Sequence, residues 1–297
     1  MRDLLLVFQN TVGGLSIGSI YAMVALGYSL IYRSMGLVNF AHGSIFMIGT
    51  YLGVIFYMGM VGGLHVPFVI AFFIGIILTG ILGMILERLL RPLAKLDLIY
   101  MLVGTIGIGI ILDNLAVIIW GAEGFPVPTP IGSTPITVGG VIILPYMLVI
   151  LLAAAVIVIV MQLFYKRTWV GKAIRASAQD REIASAMGIN VNIMNAIAFG
   201  AGSALAAAAG ILAAPILFVN PALSASVGLK GFAAAILGGF GNLPGAVIGG
   251  LLFGVLETTA SGFISSAYQG AITFIILALV LAVKPSGILG DGTIEKV

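Results

Sequence analysis

Long apolar runs, separated by short polar segments, make up almost the whole chain. A membrane-spanning helix needs about 20 apolar residues, because the hydrocarbon core of a bilayer is about 30 Å thick. By that criterion the sequence predicts an all-α, polytopic integral membrane protein of eight to nine spans, organised as a single domain over residues 1–297. Eight of the predicted spans are 12–32, 38–58, 66–88, 98–120, 141–164, 191–214, 243–262 and 266–283.

A further apolar stretch, 227–240, is too short for a full crossing and is predicted to be a half-helix or a broken span. Irregular backbone at membrane depth is tolerated only where protein or a water-filled cavity surrounds it. Composition supports the membrane assignment, since hydrophobic residues make up 61% of the chain and charged residues only 8%. Soluble domains have about 25% charged residues. Lipid must therefore be the main solvent of this chain.

Eleven of the 13 basic residues fall on alternate connections between the predicted spans; Arg2 is an exception, and Lys230 lies within the short stretch 227–240. Because Lys and Arg accumulate in cytoplasmic loops, these connections are predicted to be cytoplasmic and the N-terminus to be outside. This parity requires either that 227–240 crosses the membrane or that another predicted span boundary is wrong. The basic residues concerned are Arg33, Arg88, Arg91, Lys95, five residues within 166–190, Lys284 and Lys296.

Residues 166–190, KRTWVGKAIRASAQDREIASAMGIN, form the longest charged segment, and we call them the cytoplasmic segment. It contains seven charged residues, whereas the flanking 141–165 and 191–215 contain none. We predict a short helix that starts near Thr168 and ends at Gly188, where a left-handed residue is needed. A charged helix attached at both ends to spans is suited to receive force from a water-soluble partner.

Four polar side chains are predicted to lie at or within the membrane. Asn39 and His42 are three residues apart, so we expect them on one helix face at the cytoplasmic end of the second span. They can line a gate, or His42 can simply cap a helix end. Asp113 and Glu257 lie inside apolar spans, where a charge costs about 2.5–3.5 kcal/mol. We therefore expect both acids to face the bundle interior, as part of the translocation pathway or its gate.

Glycines recur at four-residue spacing near the C-terminus and predict close helix packing, because this spacing places them on one helix face. One row is Gly241, Gly245 and Gly249, and a second is Gly250 and Gly254.

Two short patterns leave alternatives open. GLVNFA (36–41) resembles GLKGFA (228–233), and an inverted repeat of this kind is common in transporters. Asn-Pro-Ala at 220–222 is the hallmark triplet of water and glycerol channels, but those channels carry two copies and this chain has one. We interpret the triplet as a chance match.

Several kinds of chemistry are excluded. The chain has no G-x-x-x-x-G-K-[ST] loop, so it cannot bind ATP in that manner. Two histidines and no cysteine offer no zinc site, and no catalytic Ser/His/acid set can be argued. Nucleic acid is not expected as a partner, because the basic residues are mixed with acids and tied to the membrane surface.

Four segments carry a family resemblance. Glu182-Ile183-Ala184, followed by Gly188, resembles the E-A-A-x-x-x-G signature of permeases in ATP-driven importers, with Ile183 in place of the second-position Ala. The surrounding segment resembles the high-affinity branched-chain amino acid permease family. The other segments that resemble this family are NFAHGSIFMIGTYLG (39–53), ERLLRPL (87–93) and GFGNLPGAVIGGLLFGVLE (239–257).

The resemblance implies one permease of a heteromeric importer in a bacterial or archaeal cell membrane, the inner membrane if the cell is Gram-negative. Its expected partners are a second related permease, two ATPase subunits that bind ATP and Mg²⁺, an extracytoplasmic binding protein and lipid. We expect Ala184 and Gly188 to belong to the ATPase-coupling region, with Arg175, Asp180 and Glu182 orienting the segment on the ATPase. The expected substrate is a small apolar amino acid.

Two alternatives remain at this point. A passive channel of the water/glycerol type would conduct without ATPase or binding protein. An ion-coupled amino acid transporter would use Asp113 and Glu257 to carry the coupling ion.

Overall fold

The computed structural model describes residues 2–60, 62–94, 96–132, 134–138, 141–263 and 269–290. Lys95, Lys296 and the start of the predicted span 266–283 lie outside these residues. The prediction of an all-α membrane protein is confirmed, with one small antiparallel hairpin added. The elements are α1 (Arg2–Met35), α2 (His42–Tyr57), α3 (Phe68–Ala94), α4 (Leu98–Trp120), β1 (Ile136–Val138), β2 (Val141–Ile143), α5 (Pro145–Arg167), α6 (Trp169–Gln179), α7 (Arg181–Ala186), α8 (Val191–Ala213), α9 (Leu223–Gly238), α10 (Leu243–Phe263) and α11 (Gln269–Val283).

Six helices are long and apolar enough to cross a bilayer: α1, α3, α4, α5, α8 and α10. Two others, α2 and α9, have 16 residues each and are about 24 Å long, which is less than the hydrocarbon thickness. The predicted bounds of both were wrong. The span 38–58 begins only at His42, because 36–41 is not helical, and the stretch 227–240 begins earlier, at Leu223, and ends at Gly238.

Hydrogen bonds at the two ends of the bundle fix the helix directions. At one end, Arg33 donates to the carbonyl oxygen of Gly241 (3.4 Å) and Arg181 donates to that of Met35 (2.7 Å). This end collects the basic connections, and we predict it to be cytoplasmic. At the opposite end, Phe125 and Val219 exchange two backbone hydrogen bonds.

The short helix α9 runs from one end of the bundle to the other, since it starts just after Val219 and its last turn packs beside Gly245 near the basic end. With α9 counted, nine helices of the described chain run between the two ends, as the charge pattern requires. Large apolar side chains are exposed along α3, α4 and α5. Such faces are suited to lipid or to a neighbouring subunit.

Glycine allows α10 to approach two helices closely. A Cβ added at Gly250 or Gly254 would overlap the backbone of α1, and one added at Gly245 or Gly249 would overlap the backbone of α9. Gly241 corrects the predicted row, because it precedes α10 and has φ +82°. Its place is in the turn before the helix, where a positive φ favours glycine.

The helices α2 and α9 begin in the same way. The first amide of α2 donates to the carbonyl oxygen of Asn39 (3.2 Å), and that of α9 donates to the carbonyl oxygen of Asn220 (3.1 Å). The two helices meet near their starts, where a Cβ on Gly228 would lie 2.6 Å from the Cα of Gly43. The predicted match of 36–41 with 228–233 is wrong, because the first segment is not helical and the second lies within α9. The equivalent segments are 39–41 and 220–222.

The neighbours of α2 and α9 also correspond. The helix α2 packs against α8, α3 and α4, whereas α9 packs against α1, α10 and α11. Each short helix thus lies in a similar setting of three helices, and the two start from opposite ends of the bundle. This arrangement fits the inverted repeats common in transporters, although the sequence echo pointed to the wrong residues.

Candidate functional site

The cytoplasmic segment folds as two short helices rather than the single predicted one. Thr168 is the N-cap of α6, and its Oγ1 accepts from the amide of Gly171 (3.0 Å). The break falls at Asp180, whose backbone is extended and whose Oδ1 accepts from the amides of Glu182 and Ile183 (both 2.9 Å). Aspartate competes for backbone amides in this way, so it ends α6 and caps α7.

Gly188 ends α7 with φ +84°. The amide of Ile189 donates to Ala184, and that of Gly188 donates to Ser185 (both 3.0 Å). These two bonds form a Schellman motif, in which the residue after the helix must be left-handed. Ala184 is buried beneath the turn, whereas Glu182 is exposed.

An apolar surface lies on this charged segment and was missed by the sequence analysis. The side chains of Trp169, Ile183 and Met187 are 71%, 63% and 78% exposed. Large exposed apolar groups at the basic end of a membrane protein mark a contact with another protein or with the membrane surface. The sequence carries the signal, because these large apolar residues lie among the seven charged residues of the segment. We call these three residues the apolar docking surface.

Two arginines of the segment hold it to the bundle. Arg175 donates to the carbonyl oxygens of Tyr165 and Lys166, and its guanidinium carbon lies 5.3 Å from the centre of the Tyr165 ring. It therefore braces α6 against the end of α5, and its predicted contact with an ATPase stays a prediction. Arg181, which the sequence analysis left unassigned, bonds the end of α1.

A cavity of about 170 Å³ lies at this end of the bundle, next to α7. Its wall includes Arg181 and an ion pair in α3, in which the partly exposed Arg91 donates to the buried Glu87 (2.6 Å). Arg91 also donates to the carbonyl oxygen of Asn192 (3.2 Å). Polar contacts at the basic end of the bundle thus join α7 to α1 and α3 to α8 beside the cavity.

Asn39 and His42 do not share a helix face as predicted, because α2 begins at His42 and Asn39 precedes it. Their segment also lies inside the bundle, since the amide of Phe40 donates to Thr105 (3.2 Å), about 10 Å along α4 from its start. Asn39 Oδ1 accepts from Ala41 (3.0 Å).

Both His42 and Asn39 keep unused polar atoms in the interior. His42 is fully buried, with its ring centre 4.4 Å from that of Tyr28. Within the described residues, neither His42 ring nitrogen nor Asn39 Nδ2 has a hydrogen-bond partner. The pair therefore offers hydrogen-bond donors and acceptors at membrane depth, and its role as a gate stays a prediction.

The two intramembrane acids lie in different surroundings. Glu257 is fully buried in α10 and forms an ion pair with Lys230 of α9, which the sequence analysis had left unassigned. Asp113 is half-buried in α4, and its Oδ1 has no partner among the residues described. These acids are not brought together, because α4 packs on α2 and α3 whereas α10 packs on α1, α9 and α11.

Comparison with known proteins shows the family to which this chain belongs. A sequence model of the family described as branched-chain amino acid transport system, permease component, matches residues 10–281. The chain belongs to this family. It is a multi-pass membrane permease subunit of an ATP-binding-cassette importer.

Relatives of the same family cover nearly the whole chain. The high-affinity branched-chain amino acid transport system permease protein BraD of Pseudomonas aeruginosa is 35% identical over 100% of both chains. The corresponding LivH protein of Salmonella typhimurium is 35% identical over 100% of this chain and 99% of its own. A probable branched-chain amino acid transport permease, LivH of Methanocaldococcus jannaschii, is 29% identical over 94% of this chain and 91% of its own.

Proposed function

We propose that this permease carries branched-chain or related small apolar amino acids into the cell, driven by ATP hydrolysis on separate ATPase subunits. The observation that carries the proposal is the apolar docking surface, Trp169, Ile183 and Met187, on a segment fixed at the basic end of the bundle. Membership of the family supports the substrate class, since the relatives are named for branched-chain amino acids.

The proposed mechanism is alternating access driven through the cytoplasmic segment. ATP and Mg²⁺ bound to the ATPases shift their equilibrium toward a closed pair, because ATP favours that state. The segment then moves with the surface that holds it. Its ends continue into α5 and α8, so these two spans tilt and open the pathway on the opposite side.

The proposed assembly contains a second related permease, two ATPases and an extracytoplasmic binding protein. Exposed apolar faces of α3, α4 and α5 offer surfaces for the second permease and for lipid. At the far end, the β1–β2 hairpin and the bridge between Phe125 and Val219 give the binding protein a structured surface.

The test is reconstitution of the chain in liposomes with its candidate second permease, ATPases and binding protein. ATP hydrolysis and uptake of labelled leucine are measured together after leucine-loaded binding protein is added. We expect loaded binding protein to stimulate hydrolysis, and uptake to match it. Leucine entry without ATP would favour the passive channel, and uptake that collapses with the ion gradient would favour ion coupling.

A matched pair of variants tests the docking surface in the same assay. Ile183→Asp places a charge in an apolar contact, which costs several kcal/mol if the group is buried there, so we expect ATP-coupled uptake to be lost. Lys172→Gln alters an exposed side chain of the same segment and should keep most uptake. Normal coupled uptake by Ile183→Asp would contradict the proposed docking surface.

A further inference from the structure

Lys230 is a charged residue at the middle of a short intramembrane helix. It is the eighth of the 16 residues of α9, and its Nζ contacts Glu257 Oε1. The exposures of the two side chains differ sharply, at 25% for Lys230 and 1% for Glu257. Charged groups within membrane spans are expensive and are typical of substrate or ion pathways.

Helix packing alone does not account for this ion pair. The approach of α9 to α10 is provided by glycines, since Gly245 and Gly249 pack against the backbone at Gly238. A buried ion pair is often no more stabilising than a well-packed apolar pair of the same volume. The ion pair carries a desolvation cost and is not needed to bring α9 and α10 together. We therefore infer that the charge of Lys230 has a function of its own.

The open side of Lys230 faces a surface of mixed polarity. Ser226 lies one turn earlier on the same face of α9 and Leu229 is its neighbour, and both are exposed. The exposed faces of α3 and α5, by comparison, are apolar along their middle turns. This face instead combines an ammonium and a hydroxyl with apolar side chains.

Lys230 also keeps bonding capacity. An ammonium group has three N–H donors, of which Glu257 accepts one. Nζ lies 5.9 Å from the centre of the Tyr21 ring, which provides a further favourable contact for the cation. Glu257 Oε2, the other carboxylate oxygen, is buried without a hydrogen-bond partner in the chain as described. Glu257 therefore offsets the charge and orients Lys230, while donors remain available on the open side.

From this geometry we propose that Lys230 binds the α-carboxylate of the amino acid during its passage, with Glu257 as a positioning residue and with Leu229 contacting the apolar side chain. The proposal rests on the proposed function. A zwitterionic amino acid brings a carboxylate into an otherwise apolar path, and Lys230 meets that need. A neutral solute such as urea has no such group, so the residue favours amino acids over urea.

The experiment uses the complete importer in liposomes, with labelled leucine and leucine-loaded binding protein. The measured quantity is leucine transported per ATP hydrolysed. We expect Lys230→Met to lower this ratio about tenfold or more, the scale of a lost hydrogen bond between charged groups, while stimulated hydrolysis persists. Lys230→Arg keeps the charge and should retain most of the uptake.

A double variant in which the two charges are exchanged distinguishes recognition of the substrate from a purely structural role of the ion pair. Lys230→Glu combined with Glu257→Lys restores an ion pair but removes the cation from α9, so we expect uptake to stay low. Recovery of uptake in this double variant would show that the pair only holds α9 to α10, and would overturn the proposal. If the exchanged pair does not assemble, Lys230→Met with Glu257→Gln replaces it, and uptake within twofold of wild type has the same meaning.

Measurements on the wild-type protein distinguish failure of the carboxylate-binding proposal from failure of the proposed function. Leucine flux that needs no ATP would overturn the importer mechanism, yet the loss of that flux in Lys230→Met would still support carboxylate binding. Absence of any leucine flux in the wild type would overturn both.

Discussion

The elbow between α5 and α6 is the point at which movement of the cytoplasmic segment must enter the membrane. Gly171 lies in the first turn of α6, and its backbone is pressed against the end of α5. A Cβ at this position would overlap the carbonyl oxygens of Phe164 and Tyr165 and would lie 2.7 Å from the Tyr165 carbonyl carbon. Gly171→Ala therefore forces the elbow to open, because backbone atoms cannot turn aside as a flexible side chain can.

The size of the opening follows from the geometry. Ordinary carbon contacts need about 3.5 Å, so the backbone at Gly171 must move by about 0.8 Å. Gly171 is about 4.5 Å along the helix from Thr168, and the shift corresponds to a rotation of about 10°. Over the 11 residues of α6 this rotation displaces the far end by about 3 Å. Overpacking costs about 1–3 kcal/mol, offset by up to about 1 kcal/mol from the better helix propensity of alanine.

The assay for Gly171→Ala is leucine uptake per ATP hydrolysed in the reconstituted importer, with thermal unfolding in detergent as the measure of stability. We expect a modest loss of stability, of about 1 kcal/mol, and a severalfold fall in coupling, since α7 and its contact surface move by about 3 Å. Gly107→Ala is the matched control, because a Cβ there meets nothing within 4 Å. Coupling equal to the control would refute the elbow as the route of force.

Two other glycine positions give separate predictions. At Gly188, φ is +84° but a Cβ meets no atom within 4 Å. Gly188→Val should therefore lower the stability by about 1–2 kcal/mol through backbone strain alone. We expect this variant to lose ATP-coupled uptake while it still assembles. Asn tolerates this conformation and should do much less damage; equal uptake by Gly188→Val and wild type would contradict the assignment. Gly254→Leu should separate α1 from α10 and lower the thermal unfolding temperature by several degrees, whereas Gly13→Ala, with open space around it, should leave it nearly unchanged. A stable Gly254→Leu protein would show that this close contact is not required.

The sequence predicted the helical class and most spans because apolar length and the positions of Arg and Lys follow directly from the bilayer. It placed the starts of α2 and α9 wrongly, since the apolar run continues through non-helical backbone at 36–41 and polar turn residues obscure the start at Leu223. Hydropathy records whether a residue tolerates lipid. It does not record where the hydrogen-bond pattern of a helix begins, which here depends on the carbonyl groups of Asn39 and Asn220.

For the candidate site, the sequence predicted the ends of the helices but not the contacts between residues that are distant along the chain. The cap at Thr168 and the left-handed end at Gly188 depend on neighbouring residues, so the spacing predicts them. The partner of Glu257 is 27 residues away, on another helix, and no spacing rule connects it with Lys230. The inward turn of Arg175 onto Tyr165 was hidden for the same reason, because it depends on the angle of the α5–α6 elbow.

The helix α8 links the two sides of the bundle, because it packs against α1 as well as against α2 and α3. Small residues form several of these contacts: Gly27 of α1 meets Gly202 of α8, and Gly43 of α2 meets Gly228 of α9. A tilt of α8 would therefore act on α1, α2 and α3 together. Because α9 packs against both α1 and α2, we expect the surface around Lys230 to change its exposure during the transport cycle.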